Sequence, residues 1–387
     1  MKKKLIRWVQ KTNYKWVPTI LLDARNRFLN NNTLKYPHSY TNKAFKAWWN
    51  NFKGTSNLDN DLINMVDVFI ETDGFIEMSK YWNYLNKKNL EQISQSGIDN
   101  FKQTLAKNYY TWIDGISGDL GVNFIKEIDK YNFSIPVNTI AKKHELLTLS
   151  ESIVFNTMTV FLYDYVTSRY PELIEDCQEG DIGNPLFINI NGKKVSQDIL
   201  SSAIEYSSII KGRKGVPKNI LELGAGSGRT AEFFLKKHEN IKYCICDLAP
   251  ALYVSEFYLT KVFKDRRIFK FREFENYIDI KDEYENSDVA FIMPHQLKLL
   301  PDKSFDTFLA IDCLHEMKKN QIEDYFKIAN RLGDYFYFKA WKNTIVPFDN
   351  ISLTEDSYKP LDEWEKIYIR DCYIPSNFFE AMYLCNS

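Results

Sequence analysis

The sequence of 387 residues is 44% hydrophobic and 26% charged, and its 50 basic and 51 acidic residues leave a formal net charge of −1. This length allows two domains, or one domain with a large extension, and the apolar content is ample for a core. The charge balance excludes an overall basic field for nucleic acid or an anionic membrane, while local basic patches stay open.

The N-terminus begins with basic residues, as a signal peptide does. Arg7, Gln10, Lys11 and Lys15 then interrupt any apolar stretch of the length that a signal peptide needs. The apolar run 17–22 is far too short to span a bilayer. We therefore expect a soluble, cytoplasmic protein without a transmembrane segment.

The six cysteines contain no Cys-x-x-Cys pair. Cys244 and Cys246 alternate along a predicted strand, so both face the same side of it. They are interpreted as small buried apolar residues rather than metal ligands or a disulfide framework. This cysteine pattern fits a reducing compartment.

Residues 1–210 are predicted to form a mainly helical N-terminal domain. This domain is also a candidate for the interface of a homo-oligomer. Apolar residues recur at helical spacing in three segments, namely 61–70, 100–112 and 151–162. The segment 180–192 differs and predicts a short strand followed by a turn at Asn191 and Gly192. Ser196 is the predicted N-cap of a helix that continues to about Ile210.

A polar, glycine-containing run at 211–218 marks the predicted boundary to a second domain, residues 211–387. After it, strands alternate with helices, which predicts an α/β domain with a mostly parallel sheet covered on both faces. The predicted strands are 220–223, 243–246, 289–293, 307–311, 335–338, 366–371 and 379–384. Ligands of such sheets bind outside the carboxyl ends of the strands, so the residues after each strand are the candidates.

The first strand ends in a glycine triplet, in the segment Asn219-Ile-Leu-Glu-Leu-Gly-Ala-Gly-Ser-Gly-Arg-Thr. Glycine permits positive φ and close backbone approach, and the following helix points free N–H groups at a ligand. Arg229 stands where the dinucleotide pattern G-x-G-x-x-G has its third glycine, which disfavours a dinucleotide oxidoreductase. The candidate cofactor residues here are Glu222, Gly224, Ala225 and Gly226.

The second strand ends at Asp247, about twenty residues beyond the glycines. A carboxylate there can accept hydrogen bonds from both hydroxyls of a ribose. The alternative is an ordinary turn aspartate before Pro250. The glycine turn and Asp247 together indicate a nucleoside-containing cofactor, with Leu248 as a further contact.

The third strand is followed by Pro294, His295 and Gln296, a position that would lie near an adenine ring. Gln296 offers both donors and acceptors for the edge of that ring. His295 is a candidate for a cofactor or substrate contact, although a single histidine is often structural.

The fourth strand ends in Asp312-Cys-Leu-His-Glu-Met. Asp312 is expected beside the cofactor, and His315 is the candidate catalytic base for removing the proton of an acceptor hydroxyl. Glu316 could orient the imidazole or bind a substrate hydroxyl. The alternative is that His315 and Glu316 open a helix on the solvent side.

The fifth strand is followed by Lys339-Ala-Trp-Lys. Lys339 and Lys342 are candidates for holding an anionic group such as a phosphate, and otherwise they are solvated. Trp341 either lines an acceptor pocket or packs in the core.

These segments together resemble a known family. Leu221-Glu-Leu-Gly-Ala-Gly-Ser-Gly-Arg, Cys246-Asp-Leu-Ala-Pro-Ala-Leu-Tyr-Val-Ser, Cys313-Leu-His-Glu-Met and Tyr335-Phe-Tyr-Phe-Lys look like the sugar O-methyltransferase family of class I S-adenosylmethionine (SAM)-dependent methyltransferases. The upstream pieces Gly183-Asn-Pro, Ser196-Gln-Asp and Ser201-Ser-Ala-Ile-Glu-Tyr are similar too. Ala249 departs from the proline expected there, which should shift the loop slightly without removing the contact by Asp247.

The resemblance implies a Rossmann-like methyltransferase domain, SAM as cofactor with S-adenosylhomocysteine (SAH) as product, and a role in bacterial surface polysaccharide synthesis. It also implies that Gln197 and Glu205 fold over the cofactor and that the helical half forms a lid and acceptor pocket. Aromatic residues of that half are then candidates for stacking on a sugar, although core packing is the alternative: Tyr81, Trp82, Tyr109, Tyr110 and Trp112.

Three other functions stay open. The acceptor could instead be a phosphoramidate, an amine or a lipid-linked group. A divalent metal could assist through Asp312, His315 and Glu316, although this carboxylate cluster is sparse. The protein could also be a non-catalytic SAM-binding scaffold whose helical half binds a partner.

Overall fold

A computed structural model describes residues 40–72, 78–105, 138–140, 144–373 and 377–385. The helices are α1 (Asn42–Phe52), α2 (Asn60–Phe69), α3 (Lys80–Ser96), α4 (Phe101–Thr104), α5 (Leu149–Arg169), α6 (Gln197–Arg213), α7 (Arg229–Lys237), α8 (Ala249–Val262), α9 (Lys281–Asn286) and α10 (Lys319–Leu332). No helix in these ranges combines the length and the apolar character needed to cross a bilayer.

The strands of the main sheet are β4 (Asn219–Leu223), β5 (Lys242–Cys246), β6 (Ile268–Phe269), β7 (Val289–Ile292), β8 (Phe305–Ile311), β9 (Gly333–Trp341), β12 (Glu365–Asp371) and β13 (Phe378–Leu384). Before and between them lie β1 (Thr139–Ile140), β2 (Ile188–Ile190), β3 (Lys193–Val195), β10 (Asn343–Val346) and β11 (Ile351–Thr354). The hairpin β2–β3 turns at Asn191 and Gly192, as the sequence predicts.

The main sheet has the order β12-β13-β9-β8-β4-β5-β7-β6. Strands β4 to β9 pair in parallel, and β13 pairs antiparallel with both β9 and β12. Helices cover both faces, because the central strands are apolar on both sides and must be buried twice. The α/β, Rossmann-like fold expected from the sequence is confirmed, and β6 is an edge strand that the sequence did not predict.

The helical half and the sheet share one hydrophobic core. One cluster of buried side chains runs from Trp49 and Leu62 of the helical half to Tyr258 and Phe291 beside the sheet. A second cluster lies on the other face of the sheet, around Phe308. Helix α6 begins at its N-cap Ser196, whose hydroxyl accepts from the Ile199 N–H, and continues to Arg213, past the expected end.

A buried ion pair fastens α4 to the rest of the molecule. Lys102 Nζ lies 2.7 Å from Glu179 Oε1 and 2.8 Å from the Tyr258 hydroxyl on α8. Both charged side chains are only 2% exposed. The Tyr258 hydroxyl in turn donates to Glu232 on α7 at 2.6 Å. The helical half is therefore joined to the sheet-covering helices by apolar packing and by this polar network.

Candidate functional site

The glycine turn joins β4 to α7 at the carboxyl edge of the sheet. Gly224, Gly226 and Gly228 all have positive φ, between 59° and 79°. A Cβ on Gly224 would lie 2.6 Å from Cβ of Cys313, the residue after Asp312 at the end of β8. Only glycine therefore allows the turn to approach the end of the neighbouring strand this closely.

Asp247 stands at the end of β5 and faces the glycine turn. Its Oδ2 accepts from the Gly226 N–H at 2.8 Å, and its Oδ1 accepts from the Leu248 N–H at 2.7 Å. A carboxylate oxygen can accept more than one hydrogen bond, so both oxygens keep capacity for hydroxyl donors. Burial raises the pKa of Asp247 to about 7 despite these two backbone donors.

Glu222 is buried within β4. The Tyr243 hydroxyl, on the adjacent β5, donates to its Oε2 at 2.7 Å. Burial raises the pKa of this carboxyl to about 7, which the Tyr243 hydrogen bond only partly offsets.

These residues line a cavity of about 760 Å³, including its open mouth, which we call the acidic cavity. Its lining comprises Trp82, Asp198, Ser201, Glu222, Gly224, Ala225, Gly226, Ser227, Arg229, Asp247, Ile311, Asp312, Cys313 and Glu316. Five of these side chains are carboxylates and one is a cation.

A neighbouring hollow, which we call the apolar slot, shares Trp82, Gly224, Asp247 and Cys313 with the acidic cavity. Its other lining residues are mostly apolar: Met78, Ser79, Leu223, Leu248, Pro294, Met317, Gln321 and Tyr325. Asp247 thus lies at the junction between a charged compartment and an apolar one.

A cluster of four charges closes the acidic cavity beside α6. Arg229 contacts Glu205 through both terminal nitrogens, and Lys339 Nζ lies 2.9 Å from Glu205 Oε1. Asp312, with a positive φ of 58°, lies 3.5 Å from both cations. Burial acts against ionisation of Glu205, but Arg229 and Lys339 outweigh it and lower its pKa to about 2. Glu205 is therefore ionised, whereas burial raises the pKa of Asp312 despite the two cations beside it.

His315 lies next to the acidic cavity and is not among its lining residues. Its ring packs 5.7 Å from both Trp341 and Phe378, and its Nε2 lies 4.0 Å from Glu316 Oε1. Nδ1 is buried and has no hydrogen-bond partner among the described residues. Burial, with Lys339 nearby, lowers the pKa of this imidazole to about 3, so it is neutral.

Glu316 does line the acidic cavity. Burial raises its pKa to about 8, with Asp312 and Asp247 adding to the shift. Of the two neighbours, the carboxyl is therefore the group that faces the cavity and titrates near neutral pH.

Three candidates from the sequence lie away from both compartments. Gln296 is fully buried, and its amide accepts from the Met293 N–H at 2.9 Å and donates to the Arg272 carbonyl at 2.8 Å. These two bonds hold the turn after β7, and Gln296 lines neither compartment, so the expected adenine contact is not supported by its position. His295 is half-buried beside it. Gln197 is buried and donates to the Phe155 carbonyl at 3.4 Å, which ties α6 to α5.

The remaining candidates occupy mixed positions. Lys339 contacts the carboxylates described above, and Lys342 pairs with Asp371 at 2.7 Å, so each already has an anionic partner within the protein. Trp82 lines both compartments, whereas Tyr81 packs against the second core cluster. Tyr109, Tyr110 and Trp112 lie outside the described residues. No group of three potential metal ligands occurs within the described ranges.

The structure adds Asp198, Ser201 and Ser227 to the lining of the acidic cavity. Asp198, Ser201 and Glu205 recur at i, i+3 and i+7 on α6, so they share one face of that helix. This polar stripe, on the helix that precedes the glycine turn, is the sequence signal that could have located Asp198 and Ser201.

The sequence matches no family model and no curated protein. Among solved structures, the PH0226 protein of Pyrococcus horikoshii is 16% identical, with 49% of this chain and 92% of that chain covered and a TM-score of 0.35. A SAM-dependent methyltransferase of Aquifex aeolicus is 13% identical over 46% and 89% of the two chains, with a TM-score of 0.31. The N-methyltransferase NodS of Bradyrhizobium japonicum is 12% identical over 48% and 96%, with a TM-score of 0.33. At these scores the similarities carry no argument about activity.

Proposed function

We propose that the protein is a SAM-dependent O-methyltransferase that methylates a sugar hydroxyl of a nucleotide sugar or of a surface-polysaccharide precursor. The observation that carries the SAM part is the contact between Asp247 and the glycine turn, at the junction of an acidic cavity and an apolar slot. SAM has a matching arrangement, with a ribose between a flat adenine and a cationic amino-acid portion.

The charge of the acidic cavity fits this cofactor. In addition to the effect of burial, Asp312 and Asp247 raise the pKa of Glu316, and Asp247 raises that of Glu222. A ligand that carries a sulfonium and an ammonium group would relieve this repulsion. When bound, SAM supplies an electrophilic methyl group, and the protein supplies its orientation.

Each part of the cofactor has a proposed location. Asp247 binds the ribose hydroxyls, and Gly224, Ala225 and Gly226 contact the amino-acid portion through their backbone. The apolar slot, with Leu248 and Tyr325, holds the adenine. This location replaces the adenine contact that the sequence assigned to Gln296.

We propose Glu316 as the acceptor of the hydroxyl proton, because its carboxyl lines the cavity and titrates near neutral pH. His315 is then a positioning residue. Its ring is packed against Trp341 and Phe378, and its Nε2 lies 4.0 Å from Glu316 Oε1. This differs from the sequence-based hypothesis in which His315 itself is the base, and the two assignments can be separated by mutation.

The sugar assignment rests on the family resemblance, and a further cavity offers room for the acceptor. This cavity encloses about 1000 Å³, including its mouth; Glu205 and Lys339 line it, and it shares Ser201 with the acidic cavity. Tyr165 and Tyr170 from the helical half and Arg370 from β12 also line it. Aromatic rings with polar neighbours suit the alternating apolar and hydroxylated faces of a sugar.

Calorimetric binding of SAH tests the cofactor proposal. The wild-type protein should bind SAH, and Asp247→Ala should lose about 10-fold or more in affinity, because hydrogen bonds to a charged group are lost. Asp99→Ala, at an exposed surface ion pair with Lys261, is the matched control and should bind as the wild type does. Wild-type protein that binds NADH but not SAH would overturn the proposal. A screen of sugar, amine and lipid-linked acceptors with labelled SAM then identifies the substrate class.

A further inference from the structure

Asp198 is a buried carboxylate whose role the proposed cofactor contacts leave unassigned. It lies in the first turn of α6, is 7% exposed, and lines the acidic cavity. Its Oδ1 is fully buried and accepts no hydrogen bond from any described residue. A buried acceptor without a donor is costly, so its presence at the wall of a cavity indicates a donor on the ligand.

The surroundings of Asp198 do not neutralise it. Burial raises its pKa to about 7, and the charges that act on it have both signs: Lys102 and Arg229 lower the pKa, whereas Glu179 and Glu232 raise it. Lys102 is engaged by Glu179, and Arg229 by Glu205. Both nearby cations therefore have closer carboxylate partners.

Ser227 provides a second unsatisfied group in the same cavity. It lies within the glycine turn and is 1% exposed, and its hydroxyl has no hydrogen-bond partner among the described residues. A hydroxyl can donate to a carboxylate, whereas the Asp198 carboxylate can only accept. Arg229, which lines the cavity between α6 and the sheet, adds positive charge.

We propose that Asp198 binds the α-ammonium group of the amino-acid portion of the cofactor, with the Ser227 hydroxyl donating to its α-carboxylate. The zwitterion thereby meets a carboxylate on α6 and a donor in the glycine turn, both of which line the cavity. An ammonium has three N–H donors and satisfies Oδ1, which a sulfonium, having no N–H, cannot do. Asp198 is thus a binding residue for the non-reacting end of the cofactor. This inference rests on the proposed function.

The test compares two ligands that differ only in this end. SAH carries the amino-acid portion, and 5′-methylthioadenosine lacks it while keeping the adenosine and the sulfur. Asp198→Asn preserves the size of the side chain and removes its charge. We expect the variant to bind SAH about 10-fold or more weakly, because a charge-assisted bond is lost, and to bind 5′-methylthioadenosine within about 2-fold of wild type.

Asp99→Asn makes the same substitution at an exposed ion pair and should change neither affinity. Thermal unfolding of the ligand-free variants checks that Asp198→Asn is folded. Equal weakening of both ligands, or no weakening of SAH, would overturn the assignment of Asp198 while leaving the cofactor proposal intact. Wild-type protein that binds neither ligand would overturn both proposals.

Discussion

At the scale of single residues, burial raises the pKa of the two carboxyls Asp247 and Glu316. Both carboxyls follow the carboxyl ends of parallel strands and line the acidic cavity, where Asp247 is 5% exposed and the Glu316 side chain 21%. Asp247 is kept in place by two backbone N–H groups, whereas Glu316 is shifted furthest, to a pKa of about 8. Asp247 is therefore suited to binding because backbone donors fix its position, whereas Glu316, with its higher pKa, is suited to accept a proton.

Substitution of Glu316 and His315 separates the two assignments of the base. Glu316→Gln should lower kcat by about 10²-fold or more and abolish the rise of kcat with pH, because the carboxyl that loses its proton is gone. His315→Asn should lower kcat less and keep that rise. Both variants should bind SAH within a few-fold of wild type by calorimetry. If His315→Asn abolishes turnover while Glu316→Gln retains it, the base is His315.

At the scale of elements, the position of α6 organises the site. Asp198 and Ser201 on one face of α6 line the acidic cavity, and Glu205 on the same face binds Arg229. The N-cap Ser196 donates to Glu179, the partner of Lys102. The same network reaches α8 through Tyr258. The buried pair Lys102–Glu179 therefore fixes the start of α6 relative to the helices that cover the sheet.

Lys102→Met tests this connection. It leaves the buried Glu179 without its cation, so the free energy of unfolding should fall by about 3–5 kcal/mol, measured by urea denaturation. Lys46→Met, which breaks an exposed pair with Glu71, is the control and should change it by roughly 0–1 kcal/mol. Combining Lys102→Met with Glu179→Leu should recover part of the loss, because no uncompensated charge remains. Equal effects of the two single lysine variants would show that the buried pair does not fix α6.

The elements differ in how far the sequence predicts them. The central strands were predictable because each is an apolar run ended by a polar or proline residue, such as Asp247 after β5 and Asp312 after β8. Strand β6 has only two residues in a polar context and depends on pairing with β7 for its existence. An aspartate in the first turn of a helix is common for its interaction with the helix dipole, so the position of Asp198 alone did not indicate a ligand.

The same limit applies to side chains whose role depends on distant partners. Gln296 has the groups to bind an adenine edge. Its amide instead donates to the Arg272 carbonyl, 24 residues earlier in the chain, a contact that the local sequence does not reveal. His315 has the chemistry of a base. The packing of Trp341 and Phe378 buries its ring, and this burial lowers its pKa. Local patterns therefore indicate a candidate site, while long-range contacts decide which side chains face its cavities.

At the scale of the whole molecule, several buried carboxyls have raised pKa values. Asp198, Glu222, Asp247 and Glu256 titrate at about 7, and Glu316 at about 8. The folded protein holds these protons at pH values where the unfolded chain has released them. The stabilisation that this uptake provides is present at low pH and is lost as the pH rises through the folded-state values.

We therefore expect the ligand-free protein to unfold at a lower temperature at pH 8 than at pH 6, by at least about 2 °C. His315 has the opposite sign, since its depressed pKa destabilises the fold as the pH falls below about 6.5, but one imidazole offsets only part of the effect of the five carboxyls. Differential scanning calorimetry measures the profile, and Glu222→Gln should flatten it. A melting temperature that rises steadily from pH 6 to pH 8 would contradict this account.

The core shared by the helical half and the sheet has a consequence for modularity. Buried side chains from Trp49 to Phe291 form one cluster, so each part has apolar surface that is covered only by the other part. Exchange of the helical half for that of another protein would expose apolar area on both pieces. New ligand specificities are therefore more accessible to this fold through point substitutions within its cavities than through recombination of whole segments.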